Sequence, residues 1–153
     1  TITYHNKSYV SENLLGFVNS IIEELKIGLI YPLETKIRIQ IFESYLSMAE
    51  FLLKEGLKDP AAVIAGTSLE VHLKNLCTQN DITLEERSKR KSANRLNQDL
   101  FTNKIYGNRE MKQVSSWLAL RNDAAHGNYS NYEDNDVRLL IEEIGLFIEH
   151  YPA

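Results

Sequence analysis

Cysteine is almost absent from this 153-residue chain, which contains only Cys77. One thiol cannot form an intrachain disulfide, and this favours a reducing compartment, which we expect to be the cytoplasm. Cys77 lies in an apolar helical stretch, where a buried thiol is the ordinary state. The four histidines are scattered without metal-ligand spacing: His5, His72, His126 and His150. We therefore expect no structural or catalytic metal and no other cofactor.

Long hydrophobic runs are also missing. No apolar run approaches the ~18 residues that a membrane span needs, so we expect no membrane association. The net charge of −4 argues against a protein that coats nucleic acid non-specifically, since such binding depends on many neutralised phosphates. A local basic site on an acidic body stays open. The chain starts at Thr1 rather than Met, which fits either a fragment or a processed chain.

Glycine and proline are scarce, at seven and three, and they fall at the boundaries of apolar segments. Between them, apolar residues recur at spacings of three and four, the period of amphipathic helices. We predict an all-α, single-domain bundle of about six helices without strands. An N-terminal extension is predicted at residues 1–10 and the helical domain at residues 11–153.

The predicted helices cover, in order, residues 11–29, 34–55, 59–80, 93–101, 108–125 and 133–151. Asp59 is the predicted N-cap of the third helix, Pro60 suits its first turn, and Asn108 is the predicted cap of the fifth. The polar stretch 81–94 is a predicted linker, in which Thr83 and Glu86 could form a capping box. The second helix has a wide apolar face, which leaves surface for a subunit contact. That face consists of Ile37, Ile41, Tyr45, Met48 and Leu52, widened by Phe42, Ala49 and Leu53.

The end of the fifth predicted helix carries the most informative segment. Arg121, Asn122 and His126 follow an apolar helical run that stops at Gly127. A helix turns ~100° per residue, so Asn122 and His126 share a face, whereas Arg121 and His126 stand about 140° apart. The side chains of Arg121 and His126 converge on one ligand if the Arg121 side chain bends around the helix, if the helix ends at His126, or if a second subunit supplies one of them.

This set of side chains suits a phosphodiester. Arginine offers a planar fork of donors to phosphate oxygens, and histidine can both take and give a proton at neutral pH. Asparagine can orient the histidine or the phosphate, and no metal is required. Helix capping and surface polarity are the alternative explanation of the same pattern.

The segment resembles the R-x4–6-H signature of the HEPN superfamily, which Arg121, Asn122 and His126 match residue by residue. The similarity to uncharacterised bacterial HEPN-like proteins covers roughly residues 59–152. It is carried by residues 61–66, 69–77, 96–100, 117–129 and the run that follows, up to Phe147 and Pro152.

The resemblance implies a bundle of four to six helices that forms a homodimer. Active HEPN domains cleave RNA without metal through the neighbouring 2′-hydroxyl, in toxin–antitoxin, phage-defence and CRISPR-linked systems, where an antitoxin or defence protein is the partner. Other HEPN domains bind a nucleotide or a protein without catalysis. One branch shows R-x4-H-x-Y with a modifiable tyrosine; here Tyr129 stands one residue further from His126, which puts that modification in doubt.

Several further residues are candidates for supporting the site or binding RNA. Glu70 either buttresses Arg121 or is an ordinary surface or salt-bridged glutamate. Asn97 either orients the site or serves a turn or cap. Tyr129, with Tyr132, either stacks a base or packs on the last helix. The one basic cluster is either a phosphate-binding arm or a solvated loop, and consists of Arg87, Lys89, Arg90, Lys91 and Arg95.

Two functional hypotheses follow. The first is a metal-independent endoribonuclease in which His126 is general base or acid, Arg121 stabilises phosphate charge and Asn122 orients. The second is a non-catalytic dimerisation module that uses the same pocket for a nucleotide or protein. The complete Arg-Asn…His set favours the first, and the net acidity favours the second.

Overall fold

The computed structural model describes residues 19, 22, 23, 33, 36–38 and 40–153. The predicted N-terminal extension, and all of the first predicted helix except Asn19, Ile22 and Glu23, lie outside these residues. The chain divides into two compact units, residues 1–37 and 38–153. The described residues of the first unit are helical.

The second unit is built almost entirely of helices, which confirms the predicted all-α class. Residues 40–54 form α1. The elements that follow are α2 (Lys58–Gln79), β1 (Glu85–Glu86), β2 (Lys89–Arg90), α3 (Ala93–Thr102), α4 (Asn108–His126), a 3-10 turn (Tyr129–Asn131) and α5 (Asp134–His150). Among the described helices, none combines the length and the apolarity that a membrane crossing needs.

The start of α2 differs from its predicted form. Its N-cap is Leu57, without a side-chain cap, and Asp59 lies inside the first turn. The Asp59 carboxylate instead accepts a hydrogen bond of 2.5 Å from the Tyr132 hydroxyl. The Lys58 ammonium donates to the carbonyl oxygens of Tyr129 and Tyr132, at 3.0 and 2.7 Å. These long-range contacts attach the start of α2 to the segment that follows α4.

Residues 85–90 form a two-stranded antiparallel hairpin, so the predictions of a linker and of no strand were wrong here. The turn residues Arg87 and Ser88 both have positive φ, at 51° and 61°. Two consecutive positive φ angles are typical of the type I′ turn, whose twist matches that of paired strands. We call residues 85–91 the basic hairpin.

The capping box predicted for Thr83 and Glu86 is also wrong. The Glu86 carboxylate lies 3.2 Å from the Arg95 guanidinium of α3, and Thr83 accepts a hydrogen bond from the Lys91 ammonium at 3.2 Å. Both side chains therefore hold the hairpin together or against α3, and neither caps a helix.

The cap of α4 is shifted by one residue from the prediction. Gly107 is the N-cap, Asn108 is the first helical residue, and the Glu110 carboxylate accepts a hydrogen bond from the Gly107 N–H at 3.1 Å. Gly127 ends the helix in the left-handed conformation, with φ of 82°. A residue without Cβ takes that conformation without strain, so the predicted stop is in place.

The core surrounds α2, which packs against α3, α4 and α5. Small residues on α2 permit close helix approach, among them Ala61, Ala62, Ala65 and Gly66, all buried. The largest fully buried side chains from the neighbouring helices include Leu96, Leu118, Leu140 and Ile144. This packing holds α2 and the end of α4 in one rigid arrangement.

The wide apolar face of the second predicted helix is partly exposed and partly buried. Four of its residues are 47–49% exposed: Ile37, Ile41, Tyr45 and Met48. Phe42 and Ala49, which widen that face, are buried. Because α1 is apolar around most of its circumference, the period alone does not select the core side. The edge-on contact between the Phe42 and His72 rings, 5.3 Å between centroids, marks the side that packs on α2.

Candidate functional site

The end of α4 is a continuous helix from Arg121 through His126. The N–H groups of Gly127 and Asn128 both return to the Asp123 carbonyl, so the helix closes only after His126. Arg121 and His126 therefore keep the angular separation of about 140° expected for a regular helix. Helix termination does not bring these two side chains together within one chain.

The stem of Arg121 lies directly on α2. A Cβ at position 66 would collide with the Cβ and Cγ atoms of Arg121, so only glycine leaves room for the arginine stem. This contact involves the base of the side chain, which cannot move aside without moving α4. Gly66 thereby sets both the spacing between the two helices and the direction in which Arg121 leaves α4.

The Arg121 guanidinium is held by two neighbours. Its Nη1 lies 3.3 Å from the Glu70 carboxylate and donates a hydrogen bond to Asn122 Oδ1 at 3.2 Å. The Arg121 side chain is 24% exposed, and its Nε is buried without a hydrogen-bond partner among the described residues. Both contacts use Nη1, so among the described residues the Nη2 end of the guanidinium is left for a ligand.

His126 is exposed, one helical turn beyond Asn122 on the same face of α4. Neither a hydrogen bond nor an ion pair joins His126 to Arg121 in the described part of the chain. The structure thus gathers Glu70, Arg121 and Asn122 into one cluster and leaves His126 free at its edge. Within one chain, the arginine donors and the imidazole therefore lie on different sides of α4.

Gly66 was not among the residues singled out from sequence. A glycine inside a helix lowers the stability of the helix by up to ~1 kcal/mol relative to alanine. Its presence there therefore indicates a packing requirement. Its place in the run of small residues Ala61, Ala62 and Ala65 was the available signal of a close helix contact.

We expect Gly66→Ala to destabilise the protein by about 1–3 kcal/mol, because the new methyl group overpacks against the Arg121 stem. Gly145→Ala is the matched control in α5, where a Cβ would meet only Leu46 Cδ1 at 3.6 Å. That control should be neutral or gain up to ~1 kcal/mol from helix propensity. Urea unfolding of both variants measures the difference, and equal stability would contradict the tight contact.

Asn97 is buried at the interface of α3 and α4 and does not touch the Arg121 cluster. Its amide donates to the Met111 carbonyl at 2.9 Å and to Ser115 Oγ at 3.0 Å, and its Oδ1 accepts from the Tyr106 hydroxyl at 2.6 Å. Ser115 precedes Arg121 by six residues, about 9 Å along the helix. Asn97 therefore fixes α3 on α4.

The two tyrosines after α4 have different environments. Tyr129 is 49% exposed on the 3-10 turn, next to the helix end that carries His126. Tyr132 is buried, and the Lys58 ammonium lies 4.7 Å from the centre of its ring. Burial and the hydrogen bond to Asp59 raise the pKa of the Tyr132 hydroxyl above its usual range. Tyr132 therefore packs, and Tyr129 alone presents a ring to a ligand.

The basic hairpin does not join the Arg121 cluster. It follows the C-terminal end of α2 at Gln79, whereas Glu70, which holds the Arg121 guanidinium, lies nine residues earlier in that helix. From Glu70 to Gln79 the helix rises about 14 Å. The predicted RNA contacts Arg87, Lys89, Arg90 and Lys91 thus form a second, separate region.

Comparison with known proteins gives no match: no family model, no curated protein and no solved structure corresponds to the chain. The side chains and their geometry are therefore the basis of any functional assignment.

Proposed function

We propose that the chain is a HEPN-type, metal-independent endoribonuclease whose site is formed by Arg121, Asn122 and His126. One observation supports this above all: the Arg121 guanidinium is oriented by Glu70 and Asn122 at the helix end that also carries the exposed His126. The same proposal includes the toxin–antitoxin or phage-defence setting and the antitoxin partner that the HEPN resemblance implies. It also includes the cytoplasmic location that the single cysteine favours.

The proposed reaction uses a nucleophile that the substrate already contains. The 2′-oxygen attacks the adjacent phosphorus, the bond from phosphorus to the 5′-oxygen breaks, and the products end in a 2′,3′-cyclic phosphate and a 5′-hydroxyl. The 2′-hydroxyl loses a proton and the 5′-oxygen gains one. The nucleophile lies beside the phosphorus before the reaction, which supplies the proximity that a bound water would lack.

The protein supplies proton transfer and charge stabilisation. His126 takes or gives one of the two protons, with water or a second His126 in the other role. Arg121 places positive charge where the phosphate oxygens gain negative charge. The Glu70 carboxylate and the Asn122 amide oxygen engage Nη1, so the guanidinium is aimed before the substrate arrives.

We propose a homodimer as the active form, because Arg121 and His126 diverge on one helix and two apposed helix ends would supply both from different chains. A stripe of apolar residues on α1 is available for the contact with the second copy: Ile41, Tyr45, Met48 and Phe51, 48–61% exposed. Exposed apolar surface of this extent is typical of protein interfaces. Beside the stripe, an apolar cleft of about 420 Å³ lies between α1 and α2.

Light scattering should give twice the chain mass of 17.6 kDa at micromolar concentration. The double variant Tyr45→Asp, Met48→Asp should move the mass to that of one chain with helicity retained, since both side chains are about half exposed. A wild-type monomer across the concentration range would refute the dimer. A dimer that the double variant leaves intact would refute the α1 contact.

The test of the proposed chemistry is the requirement for the 2′-hydroxyl. An RNA oligonucleotide should be cut, whereas the same oligonucleotide with one 2′-deoxy nucleotide at the cleaved position should be cut everywhere except there. DNA of the same sequence should stay intact. Cleavage of the DNA, or continued cleavage at the deoxy position, would exclude the proposed mechanism.

The second candidate is a non-catalytic module that binds a nucleotide or protein at the same cluster. The ion pair of Glu70 with Arg121 and the net charge of −4 favour it, since both weaken attraction for RNA. Absence of cleavage on tRNA and mixed RNA would select this candidate.

A further inference from the structure

The basic hairpin presents three cations that form no ion pair with another described residue, although Glu85 and Glu86 stand opposite Arg90 and Lys89 in the strand register. In α3 and the hairpin, Lys91 pairs with Asp99 at 2.8 Å, and Arg95 lies 3.2 Å from Glu86 and 3.5 Å from Asp99. By contrast, Arg87, Lys89 and Arg90 are exposed, and within the described residues none of the three has an ion-pair partner. Three free positive charges lie together on a chain whose net charge is negative.

These cations surround a cleft. Its volume is about 650 Å³, and it is lined by the hairpin cations, Lys91 and Arg95, with Glu86 and Ser92. The hairpin is anchored, because the Lys91 N–H donates to the Leu84 carbonyl at 2.9 Å and the Lys91 side chain is only 9% exposed. The backbone that carries the other cations is therefore fixed beside the cleft, which lowers part of the entropic cost of binding an anion.

The hairpin is attached to α3, which packs on the face of α4 that also carries Asn122 and His126. Asn97 attaches α3 to Met111 and Ser115. Met111, Ser115, Asn122 and His126 follow one another at spacings of four, seven and four, which places all four on one face of the helix. The hairpin is bound to α3 through Lys91 and Arg95. One ligand could therefore extend along this face from His126 to the hairpin.

We infer that the hairpin cleft is a second phosphate-binding site, which holds the same RNA strand that reaches Arg121 and His126. This inference rests on the proposed ribonuclease function. The separation of about 14 Å along α2, before the hairpin begins, exceeds the distance between adjacent phosphates of a strand, so the preferred substrate is an RNA of several nucleotides. On an acidic chain, the cleft supplies the local phosphate contacts that binding of such a strand needs.

Binding is measured in the His126→Ala background, so that the RNA stays intact. Two fluorescent probes are compared: a dinucleotide, and a single-stranded RNA of about 12 nucleotides, within the ~4–16 nucleotides that single-strand sites cover. The test variant is Arg87→Gln, Lys89→Gln, Arg90→Gln. Its matched control is Lys54→Gln, Lys104→Gln, Lys112→Gln, which removes three exposed charges elsewhere.

The longer RNA should lose about tenfold or more in affinity for the hairpin variant, and the slope of log K against log salt should become shallower by about 2. The control variant should keep most of the affinity and the slope, and dinucleotide binding should be equal in both. Circular dichroism checks that each variant retains its helicity.

Equal affinity of the hairpin and control variants for the longer RNA would overturn the inference, as would no RNA binding at all. A separate cleavage assay with unmodified His126 tests the function itself. Loss of RNA binding in the hairpin variant, with no cleavage by the wild type, would refute the ribonuclease and leave the phosphate site standing. Cleavage by the wild type that does not depend on RNA length or on the hairpin charges would refute the second phosphate site and leave the ribonuclease proposal standing.

Discussion

His126→Ala is expected to lower the single-turnover rate of RNA cleavage by about 10²–10⁴-fold, the usual contribution of a positioned acid or base. Because His126 is exposed and makes no hydrogen bond with the described residues, its removal should change the free energy of unfolding by less than about 0.5 kcal/mol. His150→Ala is the matched control, an exposed histidine in the last turn of α5.

Arg121→Ala is expected to cost about 10²–10³-fold, as for removal of one donor to a developing oxyanion. This variant also leaves Glu70 without its ion-pair partner, so Arg121→Lys is the sharper probe. Lysine keeps the charge beside Glu70 but lacks the planar fork, and should restore stability without restoring the rate. Full activity in Arg121→Lys would show that a point charge is sufficient for catalysis. The planar guanidinium would then have no specific role in the reaction.

The second large effect concerns stability at acid pH and comes from His72. His72 is buried, 5.3 and 5.9 Å between ring centroids from Phe42 and Phe147, and its Nε2 lies 2.8 Å from the Tyr151 carbonyl. The carbonyl can only accept, so Nε2 carries the proton of the neutral ring. Nδ1 is buried without a partner among the described residues, and a second proton there would find no acceptor.

Burial therefore lowers the pKa of His72 from 6.5 to about 4, against a smaller upward effect of the hydrogen bond to Tyr151. Since the folded pKa lies below the unfolded one, the unfolded chain takes up the proton first as the pH falls. The stability contributed by neutral His72 is fully present above about pH 6.5 and is lost on the way to pH 4. The loss amounts to about 3 kcal/mol.

Urea unfolding of the wild type and of His72→Gln between pH 7.5 and pH 4 measures this effect. Glutamine can still donate to the Tyr151 carbonyl but does not titrate in this range. The stability advantage of the wild type should therefore shrink by about 3 kcal/mol as the pH falls. A difference between the two proteins that stays constant with pH would contradict the neutral, buried state of His72. His150→Gln, at an exposed site, should follow the wild type.

The helix order was predictable from sequence because apolar period and glycine boundaries agree along α2 to α5. Gly127 ends α4 where the sequence predicted, and the helix presents Asn122 and His126 on one face. Because Arg121 directly precedes Asn122, the sequence also placed Arg121 in a polar cluster at this helix end. Its ion pair with Glu70 joins residues on two helices, and local patterns left that contact open.

Local patterns failed where distant contacts decide the structure. Asp59 has the side chain of a good N-cap, yet its carboxylate accepts from Tyr132, 73 positions further along the chain. The hairpin strands have only two residues each, too few for the alternation that predicts a strand. In α1, apolar residues cover most of the circumference, and packing against His72 places Phe42 in the core.

The decisive measurement is incubation of the purified protein with tRNA and mixed RNA in excess EDTA, beside His126→Ala, with the product ends identified by mass spectrometry. We expect cleavage by the wild type alone, with 2′,3′-cyclic phosphate and 5′-hydroxyl ends. Cleavage only after magnesium is added, other end groups, or equal cleavage by His126→Ala would contradict a metal-independent ribonuclease centred on Arg121 and His126.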